Sequence, residues 1–218
     1  MNPSRRALLL LSASVSLLTA CAAPNIAPDF ALEKSAKSGV AAGSITYEGG
    51  YAAYRLRIIA RNGEAEYRVE HGSAQTLNMV LAFKGEKVNP ALQKRGSTFA
   101  VELPAGRYVI ESWHISQGAA NVSSTAPMGI EFEVEGGKAI YLGNFHFKET
   151  GRLGRAVTAS DVTLSDQSTR DLPALRAAFP NLAATPFSQA LAEGTVIEHV
   201  GGESRGQLTV PIFIPIRK

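Results

Sequence analysis

One cysteine, Cys21, occurs in 218 residues. A chain with a single thiol forms no internal disulfide, so packing alone has to hold its fold. Also missing is an apolar run long enough to cross a bilayer. Residues 7–18, "ALLLLSASVSLL", make a run of twelve, about 18 Å as a helix against a hydrocarbon core of about 30 Å. Charge of one sign is scarce: 22 Lys and Arg stand against 19 Asp and Glu, and Arg5 and Arg6 precede the apolar run. Without those two the balance is nearly even, which leaves no basic surface for nucleic acid. The histidines show neither the His-x-x-x-His spacing of a metal site nor help from cysteines, so no metal and no cofactor is expected.

What is present begins with an address. A basic start, the short apolar run and the small residues Thr19 and Ala20 have the layout of a secretory signal. Leu18-Thr19-Ala20-Cys21 resembles the lipobox of bacterial lipoproteins. That resemblance implies cleavage before Cys21 and lipid on its sulfur. With Ala22 rather than Asp next, it implies the outer membrane, with the domain facing the periplasm. Each buried methylene contributes about 0.8 kcal/mol, so two or more acyl chains would anchor the protein stably. Residues 1–20 are therefore expected to be a signal peptide. Residues 21–38, with two prolines and few large apolar groups, are expected to form a lipidated tether, though Ile26, Phe30 and Leu32 are apolar enough to dock.

Residues 39–218 read as one domain. Tyr54, Leu56, Ile58 and Ala60 alternate with Arg55, Arg57 and Arg61, and Tyr67 and Val69 alternate with Glu66, Arg68 and Glu70. Between them Asn62-Gly63 predicts a hairpin with a tight turn, since both residues tolerate positive φ. Phe99, Val101 and Leu103 alternate up to the Pro104-Ala105-Gly106 turn, and Ile130, Phe132 and Val134 oppose Glu131, Glu133 and Glu135 before Gly136-Gly137. Period-two patterning with one wet face is the mark of antiparallel sheets, and short strands between Gly and Pro turns predict a sandwich or barrel. A helical appendage is expected over about 168–193. Its first helix has Ser168, Thr169 or Asp171 as cap and Pro180 as stop; the second is short, capped by Thr185 with Pro186 at its first position. At about 207–216, Pro211 and Pro215 share one parity and predict an edge strand that refuses further pairing.

"LPAGRYVIESWHI" with "IEFEVEGGKAIYLGNF" resembles the end of a transthyretin-like or carboxypeptidase-regulatory-like β-sandwich. The expected fold is therefore mainly β, an Ig-like or transthyretin-like antiparallel β-sandwich with one or two short C-terminal helices. Such domains are binding or structural modules with no catalytic residues to carry over.

The remaining chemistry is sparse. Residues 202–206, Gly-Glu-Ser-Arg-Gly, match the nucleophile-elbow pattern, but a proline-bearing strand follows and no histidine comes after Ser204, so this stretch reads as a loop. Glu131, Glu133 and Glu135 read as a solvated face. Tyr108, Trp113, Tyr141, Phe145 and Phe147 read chiefly as core; strict alternation puts Tyr108 and Trp113 on opposite faces, which makes Trp113 a candidate surface contact. His114 and His146, on neighbouring predicted strands, are candidate ligand or partner contacts. The expected protein is a non-enzymatic binding or assembly module of the cell envelope, held to the membrane by lipid on Cys21 beside an envelope protein partner. The alternative is an envelope enzyme or metal-binding protein that uses His114 and His146.

Overall fold

The computed structural model of the chain describes residues 25–27, 29–32, 36–72 and 85–208. The signal segment, Cys21, Pro211 and Pro215 lie outside them. Two sheets pack face to face. The first contains β1 (Ser38–Glu48), β4 (Arg95–Pro104), β8 (Ala139–Leu153), β9 (Ala156–Ser165), β10 (Phe187–Gln189) and β11 (Val196–Ile197), in the order β11-β9-β8-β1-β4 with β10 beside β8. The second contains β2 (Ala53–Ala60), β3 (Glu66–His71), β5 (Gly106–Gln117), β6 (Ala120–Ser124), β7 (Ile130–Val134) and β12 (Ser204–Leu208), in the order β12-β6-β5-β2-β3 with β7 beside β5. The molecule is mainly β, as expected, and is a β-sandwich. It is not purely antiparallel, because β8 runs parallel to β1 and to β10.

The inner faces of both sheets bury one apolar core that includes Ile45, Leu56, Ile58, Phe99, Ile110, Trp113, Phe145 and Phe147. The outer face of the first sheet is covered by a third layer. Helix α1 (Ser168–Ala178) and the 3-10 turn Pro180–Leu182 lay Leu175 and Leu182 on Val40, Ala42, Ala100, Ala139 and Tyr141. Ile26 and Leu32 complete that cluster. The predicted tether is thus partly docked: Ile26 donates its N–H to Ala100 O at 2.8 Å, and Asn25 Oδ1 accepts from Ala100 N at 3.0 Å. Asn181 Nδ2 holds Phe30 O at 2.9 Å.

Two single-residue irregularities decide which side chains reach which face. In β5 the pairing with β2 slips between Ser112 and Ile110, leaving Glu111 extra. The bulge resets the alternation, so Tyr108 and Trp113 both point into the core, against the expectation of opposite faces. In β8 the pairing with β1 slips between Tyr141 and Asn144. Gly143 occupies that slip at φ +111, where an added Cβ would meet Leu164 Cδ1 at 2.8 Å and Leu191 Cδ1 at 2.9 Å. Tyr141 therefore faces outward while Phe145 and Phe147 face the core.

Other expectations meet smaller corrections. The β2–β3 connection spans residues 61–65, with positive φ at Gly63 (+74°) and not at Asn62. Asn62 serves through its side chain, Oδ1 accepting from Glu64 N at 3.1 Å. None of the expected caps is used: Gln167 is the N-cap of helix α1 without a side-chain cap bond, and Asp166 just before it accepts from Ser168 N at 2.9 Å. The second helix does not form. β9 pairs with β8 only from Asn144 onward, so the edge at Ala139–Tyr141 is open and β10 fills it, with Phe187 joining the outer cluster. Ser204, Arg205 and Gly206 are not loop but the start of β12 (Ser204–Leu208), which sits at the edge of its sheet; most of the edge strand expected at about 207–216 lies outside the described residues.

Candidate functional site

Trp113 is 1 % exposed. Its indole N–H donates to Val200 O at 2.9 Å, and its ring meets Phe147 edge-on at 5.9 Å. Both bonds place it in the core and not at the surface. His114, one position on, is half-buried on the outer face of the second sheet, beside Arg55 of β2 and Ser123 of β6. Burial lowers its pKa from 6.5, and the Arg55 and Arg68 cations add to that, against a hydrogen bond with Asn121 that favours the charged ring. His146 is on the outer face of the first sheet, so the whole sandwich separates the two candidate histidines. Among the described residues no three of His, Cys, Asp and Glu gather as a metal site needs.

Around His146 the slip at Gly143 assembles a row of polar groups that no short stretch of sequence displays. Asp171 of α1 is completely buried. It accepts hydrogen bonds from Ser44 Oγ at 2.5 Å, Tyr141 OH at 2.7 Å and Arg170 Nε at 2.8 Å. Asn144 Nδ2 continues the row by donating to Ser44 Oγ at 2.6 Å and Thr46 Oγ1 at 3.0 Å. Thr46 Oγ1 is 2.9 Å from His146 Nδ1. At the open end Glu48 and Lys94 pair at 2.9 Å and both lie 3.3 Å from His146 Nε2. Burial, with the Lys94 cation, lowers the pKa of His146, although Glu48 opposes this; burial and the Asp171 carboxylate push the Tyr141 phenol well up. With Ser44 and Thr46 fully buried, this row is a structural spine between β1, β8 and α1 rather than a surface for substrate.

A second cluster ties the sheets together at one side. His71 ends β3, and its Nδ1 lies 2.8 Å from Ser97 Oγ of β4 while its Nε2 lies 2.9 Å from Glu86 Oε2. Tyr47 OH donates to the same carboxylate oxygen at 3.0 Å. Burial acts to raise the Glu86 pKa, but the bonds from His71 and Tyr47 and the Arg95 charge outweigh it and hold the carboxyl below its usual range. Serine, histidine and carboxylate in series resemble a hydrolase relay chemically. Here Ser97 shares the inward parity of Phe99, Val101 and Leu103, while Ser97 and Glu86 stay half-buried at the flank where the two sheets meet. The trio is a polar clasp between β3 of one sheet and β4 of the other.

A cleft of about 380 Å³ lies where the β2–β3 and β4–β5 turns meet, lined by Ala60, Tyr67, Pro104 and Tyr108 with Arg61 and Arg107 at its rim. Tyr108 OH is fixed to Pro104 O at 2.7 Å, and the rim arginines pair with Glu131 and Glu133. Glu131, Glu133 and Glu135 are exposed, the solvated face expected of them. His71, Glu86 and the Asp171 row escaped sequence reading because their partners lie far away in the chain; the separation of Ser44 from Asp171 is 127 positions. No family model, no curated protein and no solved structure matches the chain.

Proposed function

We propose that the chain is a lipid-anchored protein of the bacterial envelope, held in the outer membrane through Cys21, whose sandwich faces the periplasm as a non-enzymatic binding or assembly module. The observation that carries this reading is the place of the only cysteine, at the end of a short apolar run in Leu18-Thr19-Ala20-Cys21. Two features of the fold support it. The candidate histidines are on opposite faces, and the serine-histidine-glutamate trio is used to tie β3 of one sheet to β4 of the other. In this reading the sandwich is of the transthyretin-like kind, on the strength of the Pro104 to Tyr108 turn and the Gly137-Lys138 strand start.

The test is growth with an alkyne-tagged fatty acid, comparing the native chain with Cys21→Ser. The native chain should carry the tag and fractionate with membranes, and the variant should do neither. A variant that still sediments with membranes removes the reading. Cross-linking in living cells then addresses the module: one dominant partner, lost in Cys21→Ser, marks an assembly role.

A further inference from the structure

The point where the chain enters the fold limits how the sandwich can stand on a membrane. Asn25 and Ile26 are fastened to Ala100 through both its N–H and its C=O. Those groups point away from β1, so the N-terminal segment seals the free edge of β4. Ile26 is 8 % exposed and Leu32 5 %, so this segment belongs to the fold. Asn25 stands only four positions after Cys21. Four residues reach at most about 14 Å when fully extended.

β4 is the last strand of the first sheet and β3 the last of the second, and the two meet at one flank, bridged by His71 and Ser97. The opposite flank is formed by β11, β9 and β12. From β4 to β11 there are four strand spacings, roughly 19 Å at about 4.8 Å each. We infer that the sandwich is held on its side: the β3–β4 flank lies against the lipid headgroups, and the β11–β12 flank, with Val196 59 % and Ile197 41 % exposed, is turned away from the bilayer. This rests on the lipidation of Cys21. Among the described residues Arg68, Lys87 and Arg95 on the near flank are accompanied by Glu66, Glu70, Glu86 and Glu102, so these charges do not choose the orientation; the short leash does.

The loss of Cys21 to lipid makes the experiment direct, since an added cysteine is then the sole reactive thiol. Glu70→Cys on β3 and Glu198→Cys beside β11 are both exposed and change charge equally. Each full-length lipidated protein, checked for acylation by mass, is labelled with a fluorophore. It is then placed in phosphatidylethanolamine–phosphatidylglycerol vesicles that carry a headgroup quencher. Quenching at position 70 should exceed that at 198 by at least about threefold, given the leash and the width of the sheet. Equal quenching, or more at 198, in a vesicle-bound acylated protein overturns the orientation and leaves the lipid anchor standing. An unacylated chain that does not bind vesicles overturns both. Inserting a Gly/Ser segment of about twenty residues after Cys21, with a coil span near 25 Å, should erase the difference; a difference that persists shows that the leash does not set it.

Discussion

The two outer faces of this sandwich are built from the same strand chemistry and end in opposite states. On the second sheet, Arg55 faces Glu70 across the β2–β3 pair, and Glu66 sits between Arg57 and Arg68 at 2.9 and 3.0 Å. All are wet, and the alternation is legible. On the first sheet, β1 is buried at every position but its last. Its outward Val40, Ala42, Ser44 and Thr46 pass from apolar to polar under one helix. The difference teaches that burial, and not polarity, decides what a polar side chain contributes. A charge in water has an alternative partner at no great cost, whereas a buried carboxylate with three donors has none.

The strongest test of that contrast is Asp171→Ala. It would leave Ser44, Tyr141 and Arg170 without their acceptor inside the third layer, and should destabilise the protein by about 3–5 kcal/mol in urea unfolding. A cost below about 1 kcal/mol would mean that water reaches the row and that the two faces are alike. Next in size is the comparison of the two slips. Gly143→Ala puts a Cβ at φ +111 against Leu164, Leu191 and Ser165 O, and should cost about 1–3 kcal/mol. Glu111→Ala, at the slip in β5, meets no such crowding and should stay within about 0.5 kcal/mol.

These slips also mark where sequence stops informing. The hairpins, the wet acidic face of β7 and helix α1 were legible because period two and period 3.6 persist over several residues. One extra residue at Glu111 or Gly143 leaves composition and local pattern unchanged, yet it inverts every side chain beyond it. Hence Trp113 turned inward and Tyr141 outward. The second helix failed for a different reason: residues 187–189 carry no strong preference, and an open strand edge claimed them. The Asp171 row was invisible because parallel pairing of β1 with β8 joins residues about a hundred positions apart, and no local signal encodes that. Aspartate in the first turn of α1 looked like a cap, and burial made it a hub.

The two histidines give the comparison a pH axis. Both His114 and His146 have pKa values lowered from 6.5, chiefly by burial. The unfolded chain takes up protons around pH 6.5, and the folded chain only further down. Folding is therefore favoured above that range, and stability declines as pH falls through it. His146→Gln should flatten the decline on the first sheet, and His114→Gln on the second. If His146→Gln changes nothing between pH 7 and pH 5 in chemical unfolding, the end of the buried row is open to water after all.

The smallest effect belongs to the second sheet. The register sets Arg57 directly opposite Arg68, and Glu66 relieves that repulsion. Hydrogen bonding from Arg57, helped by Arg68 and opposed by partial burial, lowers the Glu66 pKa from 4.5. Its contribution is present above the unfolded carboxylate range and is lost as pH falls through the lowered value. Glu66→Ala should cost no more than about 1 kcal/mol, because the Arg57 and Arg68 side chains are 44 % and 46 % exposed and keep water as an alternative partner. Raising salt should shrink that cost further, since exposed charges are screened over about 10 Å at 0.1 M, whereas the cost of Asp171→Ala should not move with salt. Equal salt sensitivity in the two variants would break the contrast between the faces at its root, since it would put the buried carboxylate in the same solvent as the exposed one.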